Sequence, residues 1–193
     1  MIEQNKVTPE IMHLFVTDKC NHACKLCCNK LYNIEEIPVP TVEELKTVHT
    51  VCITGGEPFL AGTYLRFFIR HLRAQYPNIK NLYIYTSCDG LQEYLGMFTL
   101  DDIDGISFSP KNVKDWRNLV HIVINFNEEL NQLPSNRLYV FKEQQGNFHK
   151  VSYHWLISKL KAAVIGRKWD KEFRTPDNEI FRRLPVLLLA NKK

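Results

Sequence analysis

Three cysteines at C-x3-C-x2-C spacing, Cys20, Cys24 and Cys27, follow closely on the apolar run at residues 11–16. Thiolates are the protein ligands of iron–sulfur clusters, and a cubane cluster has four irons. Three cysteines serve three of those irons and leave the fourth open to a small molecule. Structural zinc is the rival reading, since it takes four closed Cys or His ligands, with His22 or Cys28 as the fourth. Either centre requires the chain to leave a buried strand and wrap one short loop around a point. No other feature of the sequence constrains the fold as tightly.

A second motif narrows the choice. Thr50-Val51-Cys52-Ile53-Thr54 reads as a strand and runs into Gly55-Gly56-Glu57-Pro58. The glycines permit backbone angles and a close approach that a Cβ would block, and Pro58 is tolerated at the start of a helix. In order and spacing, with about thirty residues between them, the two motifs resemble the radical S-adenosylmethionine (radical SAM) superfamily. That resemblance implies a [4Fe-4S] cluster on Cys20, Cys24 and Cys27, its open iron chelated by the amino and carboxylate groups of SAM. It implies that the turn Gly55, Gly56, Glu57 and Pro58 binds the SAM amino group. Leu26 fits the large apolar residue the family favours before the third cysteine.

The rest of the chain alternates strand and helix signals. Residues 11–16 form the first strand and 50–54 the second. Between them Thr41 opens a helix, Glu44 completing a capping box. Leu65, Phe68, Ile69, Leu72 and Tyr76 recur at helical spacing. Strands are expected at 81–86, 105–109, 120–126 and 137–141, the fifth nearly continuous in apolar residues, as a strand buried on both faces would be. A short helix is expected at 91–98, and a longer one opens at Ser152 and closes at Gly166; 169–193 reads as a short helix and tail. Connections after the fourth and fifth strands look short. The expected fold is α/β, a partial parallel (β/α)6-type barrel with abbreviated helices in its second half. It forms one domain over 1–193, with a core at 11–145 and a C-terminal helix and basic tail at 146–193.

In such layouts function collects at the carboxyl ends of the strands. The resemblance, by position, carries Thr86, Ser87 and Asn125 as cofactor-binding residues. Cys88 faces the expected site as a candidate hydrogen-atom donor or substrate ligand, whereas Cys52 reads as core packing. His13 either points into the barrel or is a hydrogen-bonded core histidine. Ser109-Pro110-Lys111, after the fourth strand, resembles the 7-carboxy-7-deazaguanine synthases, small radical SAM enzymes that also use Mg2+. That resemblance makes Ser109 and Lys111 cofactor-binding candidates and Lys111 a catalytic one. The chain departs from it at Cys28-Asn29-Lys30, where those enzymes place an Asp and a Mg2+-binding hydroxyl. A cysteine pair followed by an amide also resembles the activating enzymes of glycyl-radical proteins.

Residues 1–110 carry 9 Lys/Arg against 13 Asp/Glu, and residues 111–193 carry 16 against 8. The basic second half points to an anionic partner: a nucleotide, a nucleic acid or an acidic electron donor. No stretch approaches the roughly 20 apolar residues of a membrane span, and residues 1–10 have no signal-peptide core. Six cysteines without a secretory signal indicate metal or redox chemistry in a reducing cytoplasm. The expectation is a cytoplasmic enzyme that takes an electron from a flavodoxin or ferredoxin, cleaves SAM and abstracts hydrogen from a small, nucleotide-like molecule. A glycyl-radical activase and a non-catalytic metal-binding protein are the alternatives. Leu187-Leu188-Leu189 offers an apolar surface for a homodimer or for the barrel bottom.

Overall fold

The computed structural model describes residues 9–25, 27–144, 153–169, 172 and 175–188. The first strand, β1 (Ile11–Thr17), pairs in parallel with β2 (Thr50–Gly55), and β2 with β3 (Asn81–Thr86). Next come β4 (Gly105–Phe108), β5 (Arg137–Phe141) and β6 (Ala163–Arg167), each parallel to the one before. A seventh strand, β7 (Glu179–Arg183), adds in parallel to the free side of β1, giving one open sheet in the order β6-β5-β4-β3-β2-β1-β7. Six strands in sequential order with helical crossovers are the partial barrel expected from the sequence.

The alternation of side chains along each strand divides the molecule into two layers. Met12, Leu14 and Val16, Val51 and Ile53, Leu82 and Ile84, Ile106 and Phe108, and Leu138 and Val140 are buried on the outer face. Helices cover that face: α1 (Val42–Thr47), α2 (Thr63–Gln75), α3 (Leu91–Leu95), α4 (Val113–Asn125), α5 (Asn127–Gln132) and α6 (Tyr153–Leu160). Leu65, Ile69 and Leu72 of α2 are all but inaccessible, each burial stabilising by about 1.5–3 kcal/mol. The capping box of α1 forms as expected, Glu44 N–H donating to Thr41 Oγ1 at 3.1 Å and Thr41 N–H to Glu44 Oε2 at 3.0 Å.

Three element assignments are corrected. Residues 120–126 are not a strand but the second half of α4, thirteen residues long, so the connection after β4 is an exception to the expected shortening. Trp116, Leu119, Ile122 and Val123 bury one helical face, and the Asn112 side chain caps the helix by accepting the Asp115 N–H at 3.0 Å. The helix expected to run to Gly166 ends at Leu160, where Lys161 turns into left-handed backbone (φ 47°), and residues 163–167 form β6; Ser152 lies outside the described residues. Within the expected tail lies β7, polar in sequence because it is an edge strand. Arg182 pairs with Glu44 of α1, and Arg183 Nε donates to Ile37 O at 3.1 Å. Leu187 and Leu188 pack against the barrel core. Among the described residues no helix is long and apolar enough to cross a membrane.

Candidate functional site

The carboxyl ends of β1 and β2 meet through their loops. The register slips between Phe15 and Thr17, where the cysteine loop departs. Gly56 N–H donates to Thr17 O at 2.6 Å, and Glu57 N–H to Lys19 O at 2.9 Å. A Cβ on Gly55 would stand 2.3 Å from Thr17 O, and one on Gly56 2.1 Å from Lys19 O; Gly55 also has φ +132°. The close approach that the glycines permit is therefore first of all that of the cysteine-loop backbone. Asn29 completes the junction. Its amide donates to Gly55 O at 2.9 Å and accepts from the Tyr32 hydroxyl at 2.6 Å.

Glu57 is 1% exposed and ties the turn to the end of β3. Its carboxylate accepts from Thr86 Oγ1 at 2.8 Å and from the Ser87 N–H and hydroxyl at 2.8 and 2.7 Å. Burial pushes the carboxyl up to about 7, against the pull of those donors. With both oxygens engaged, the side chain is a strut, and the turn presents its backbone to a ligand.

Cys20, Cys24 and Cys27 all line one cavity at this end of the barrel, together with Gly55, Gly56, Thr86, Ser87, Ser109 and Lys111. Burial raises the Cys20 thiol and takes Cys24 to about 11, and each feels the charge of its neighbours in the loop. Among the described residues no three His, Cys, Asp or Glu side chains stand close enough together to hold a metal ion, Cys20, Cys24 and Cys27 included. His22 is not placed as a fourth ligand. Its Nε2 lies 3.0 Å from Asp89 Oδ2 and its Nδ1 3.5 Å from buried Asp115 Oδ1, which ties the cysteine loop to the β3–α3 turn and to α4. Asn29 spends its amide on Gly55 and Tyr32, so the residue standing where the resemblance puts a Mg2+-binding hydroxyl does not fit that ion.

Lys111 Nζ donates to Ser109 Oγ at 2.7 Å and sits 3.8 Å over the Phe141 ring, with Trp169 beyond at 5.9 Å. Its N–H donates to Asp115 at 2.7 Å. Burial lowers the ammonium to about 8, the neighbouring Cys28, Cys24 and Cys27 opposing that shift. The cavity below measures about 610 Å3, within the range of small-molecule sites. His13 does face it, hydrogen-bonded to Glu179 at 2.7 Å, and Cys52 lines it too.

Two expected residues lie elsewhere. Cys88 is 2% exposed and packs in the apolar core, away from the cavity lining. Asn125 is exposed at the C-terminal end of α4, on the side to which that crossover helix returns the chain. Pro58 starts a buried 3-10 turn, Pro58–Ala61, behind the site. Leu26 lies outside the described residues. Sequence reasoning missed the struts at Asn29 and at Asp115 with Asp89, and the inner wall of Tyr83, Tyr85, Arg137, Tyr139 and Arg167. The wall had a signal, since alternate residues of 81–86 and 137–141 share a face.

No protein-family model matches the chain, and no curated protein does. Among solved structures, that of Streptococcus suis SuiB bound to S-adenosylmethionine superposes with a TM-score of 0.48 at 14% identity, over 93% of this chain and 48% of that one. That of BtrN in complex with AdoMet and 2-DOIA gives 0.36 at 15%, over 83% and 56%. The chain thus spans about half the length of these structures. Superpositions this loose say nothing of its chemistry, which rests on its own residues.

Proposed function

We propose that this chain is a radical SAM enzyme acting on a small molecule. The observation that carries the reading is the docking of the cysteine loop on the Gly55-Gly56 turn, which puts three thiols on the lining of a cavity of about 610 Å3. Cys20, Cys24 and Cys27 would hold a [4Fe-4S] cluster, and the turn's backbone with Thr86, Ser87, Ser109 and Lys111 would surround SAM. When bound, the cluster would supply one electron to the sulfonium of SAM, whose cleavage would give methionine and a 5′-deoxyadenosyl radical able to take hydrogen from a C–H bond. The electron comes from a flavodoxin- or ferredoxin-type donor.

The protein's own part is positional. Glu57 sets the distance between the β2 turn and the β3 end through Thr86 and Ser87. His22 and Asn29 hold the cysteine loop over the cavity. Lys111 presents an ammonium backed by Phe141 beside the cysteines, suited to an anionic group of SAM. The cavity's volume of about 610 Å3 matches a small substrate, and the Ser109-Pro110-Lys111 turn makes a deazapurine precursor the first to try. No role is given to Mg2+.

The test uses anaerobically reconstituted protein with dithionite and SAM, and mass spectrometry for 5′-deoxyadenosine. The nucleoside forms with the wild type and is absent with Cys24→Ala. An active Cys24→Ala variant, or a chain that takes up zinc and no iron, overturns the reading.

A further inference from the structure

The cavity wall beneath the cysteines is charged, although barrel interiors are ordinarily filled by packed side chains. Lys111, Arg137, Arg167 and Lys168 line it, against the carboxylates Glu172 and Glu179. Glu179 pairs first with His13: its Oε2 lies 2.7 Å from His13 Nε2, a contact that, with the longer-range charges of Arg167 and Arg137, holds its carboxyl below the usual range. Arg137, half-buried, places its guanidinium carbon 3.9 Å over the Tyr83 ring. Arg167 sits 4.5 Å over the Tyr139 ring. Tyr85 stacks on Tyr139, with ring centroids 5.6 Å apart and hydroxyls 3.2 Å apart. Two guanidiniums thus stand over tyrosine rings of the cavity wall, and among the described residues neither has a carboxylate within ion-pair distance.

Each guanidinium carbon lies over a ring, and a guanidinium carries five N–H donors, more than a ring contact uses. Those donors match a planar or tetrahedral oxyanion, and Arg is the residue suited to that recognition. A partly desolvated cation with no carboxylate in ion-pair contact gains from an anion that arrives with the ligand. The cationic excess of the lining also draws anions in.

We propose that the cavity binds a small substrate bearing a carboxylate or phosphate, its oxyanion held by Arg137 with Arg167 beside the Tyr85–Tyr139 pair. The inference deepens the radical SAM reading and rests on it only in taking this cavity as the substrate's place. Held there, the anion fixes the far end of the substrate and leaves its other end toward the cysteines.

Isothermal titration of the purified chain with benzoate, phenyl phosphate and neutral benzamide tests the proposal without cluster or SAM. At least one anion binds, benzamide binds roughly tenfold more weakly or not at all, and Arg137→Gln weakens the anion by roughly tenfold or more. Arg167→Gln weakens it by a smaller factor, and Arg137→Lys retains part of the affinity. The preferred anion tells carboxylate from phosphate. If Arg137→Gln fails to fold, the Arg137→Lys and Arg167→Gln affinities decide. Benzamide binding as well as benzoate, no binding by either anion, or anion affinity indifferent to Arg137 and Arg167 overturns the proposal. SAM cleavage without Arg-dependent anion binding removes this pocket alone, whereas anion binding without SAM cleavage removes the radical reading and leaves the pocket.

Discussion

Ser87 donates twice to the carboxylate of Glu57, through its N–H at 2.8 Å and its hydroxyl at 2.7 Å, so the end of β3 is tied to the turn that ends β2. Burial raises the Glu57 carboxyl from 4.5 to about 7. A carboxyl raised on folding contributes stability that is fully present below its unfolded value and is lost as pH rises through the folded one. Glu57→Gln removes the titration and leaves a donor without its acceptor. The variant is therefore destabilised most near pH 5, and the gap to wild type narrows by about 3 kcal/mol at most towards pH 8. Urea unfolding of both proteins at the two pH values checks this; a constant gap rules it out.

Gly56→Ala forces a Cβ to within 2.1 Å of Lys19 O, a backbone atom that cannot swing aside. The cysteine loop must lift, losing the bonds to Thr17 and Lys19. We expect a loss above about 2 kcal/mol in thermal or urea unfolding and a fall in iron retained after reconstitution. A variant with wild-type stability and iron would show that the loop does not dock here.

His22→Ala removes the link from the cysteine loop to Asp89 and Asp115. Asp115 is inaccessible, and burial already raises its carboxyl. Taking away the imidazole that holds it down raises it further. The expected result is a folded protein that loses iron faster to a chelator than wild type, with a stability loss of about 1–3 kcal/mol. Iron release timed by absorbance separates this from a ligand role, which would abolish uptake altogether.

Asn112 caps α4, so Asn112→Ala costs about 1 kcal/mol in unfolding free energy. Asn125, exposed at the other end of the same helix, tolerates Ala with no change in 5′-deoxyadenosine formation. A strand at 120–126 would predict the reverse, with Asn125 at the site and Asn112 indifferent.

The misread stretch shows where local pattern fails. Taken from residue 120, Val-His-Ile-Val-Ile-Asn-Phe is rich in β-branched residues and short enough for a strand. Its helical period shows only when Trp116 and Leu119 are counted with Ile122 and Val123 and Asn112 is seen as the cap. Residues 163–167 failed in the opposite sense. Ala-Val-Ile-Gly-Arg lies at a sheet edge, exposed enough to carry no alternation, and the left-handed Lys161 that breaks it from α6 leaves no signature in a lysine.

The cysteine spacing, the Gly-Gly turn, the capped α1 and the first four strands were legible because each depends on residues within a few positions of one another. Ligand spacing, turn chemistry and side-chain periodicity are local properties of the chain. Tertiary structure alone decided that Glu57 would meet Ser87, that His22 would reach Asp89 and Asp115, and that Arg137 would sit over Tyr83 and Arg167 over Tyr139. Those contacts join separate elements, and which side chains face one cavity follows from strand order and register, which no local pattern encodes.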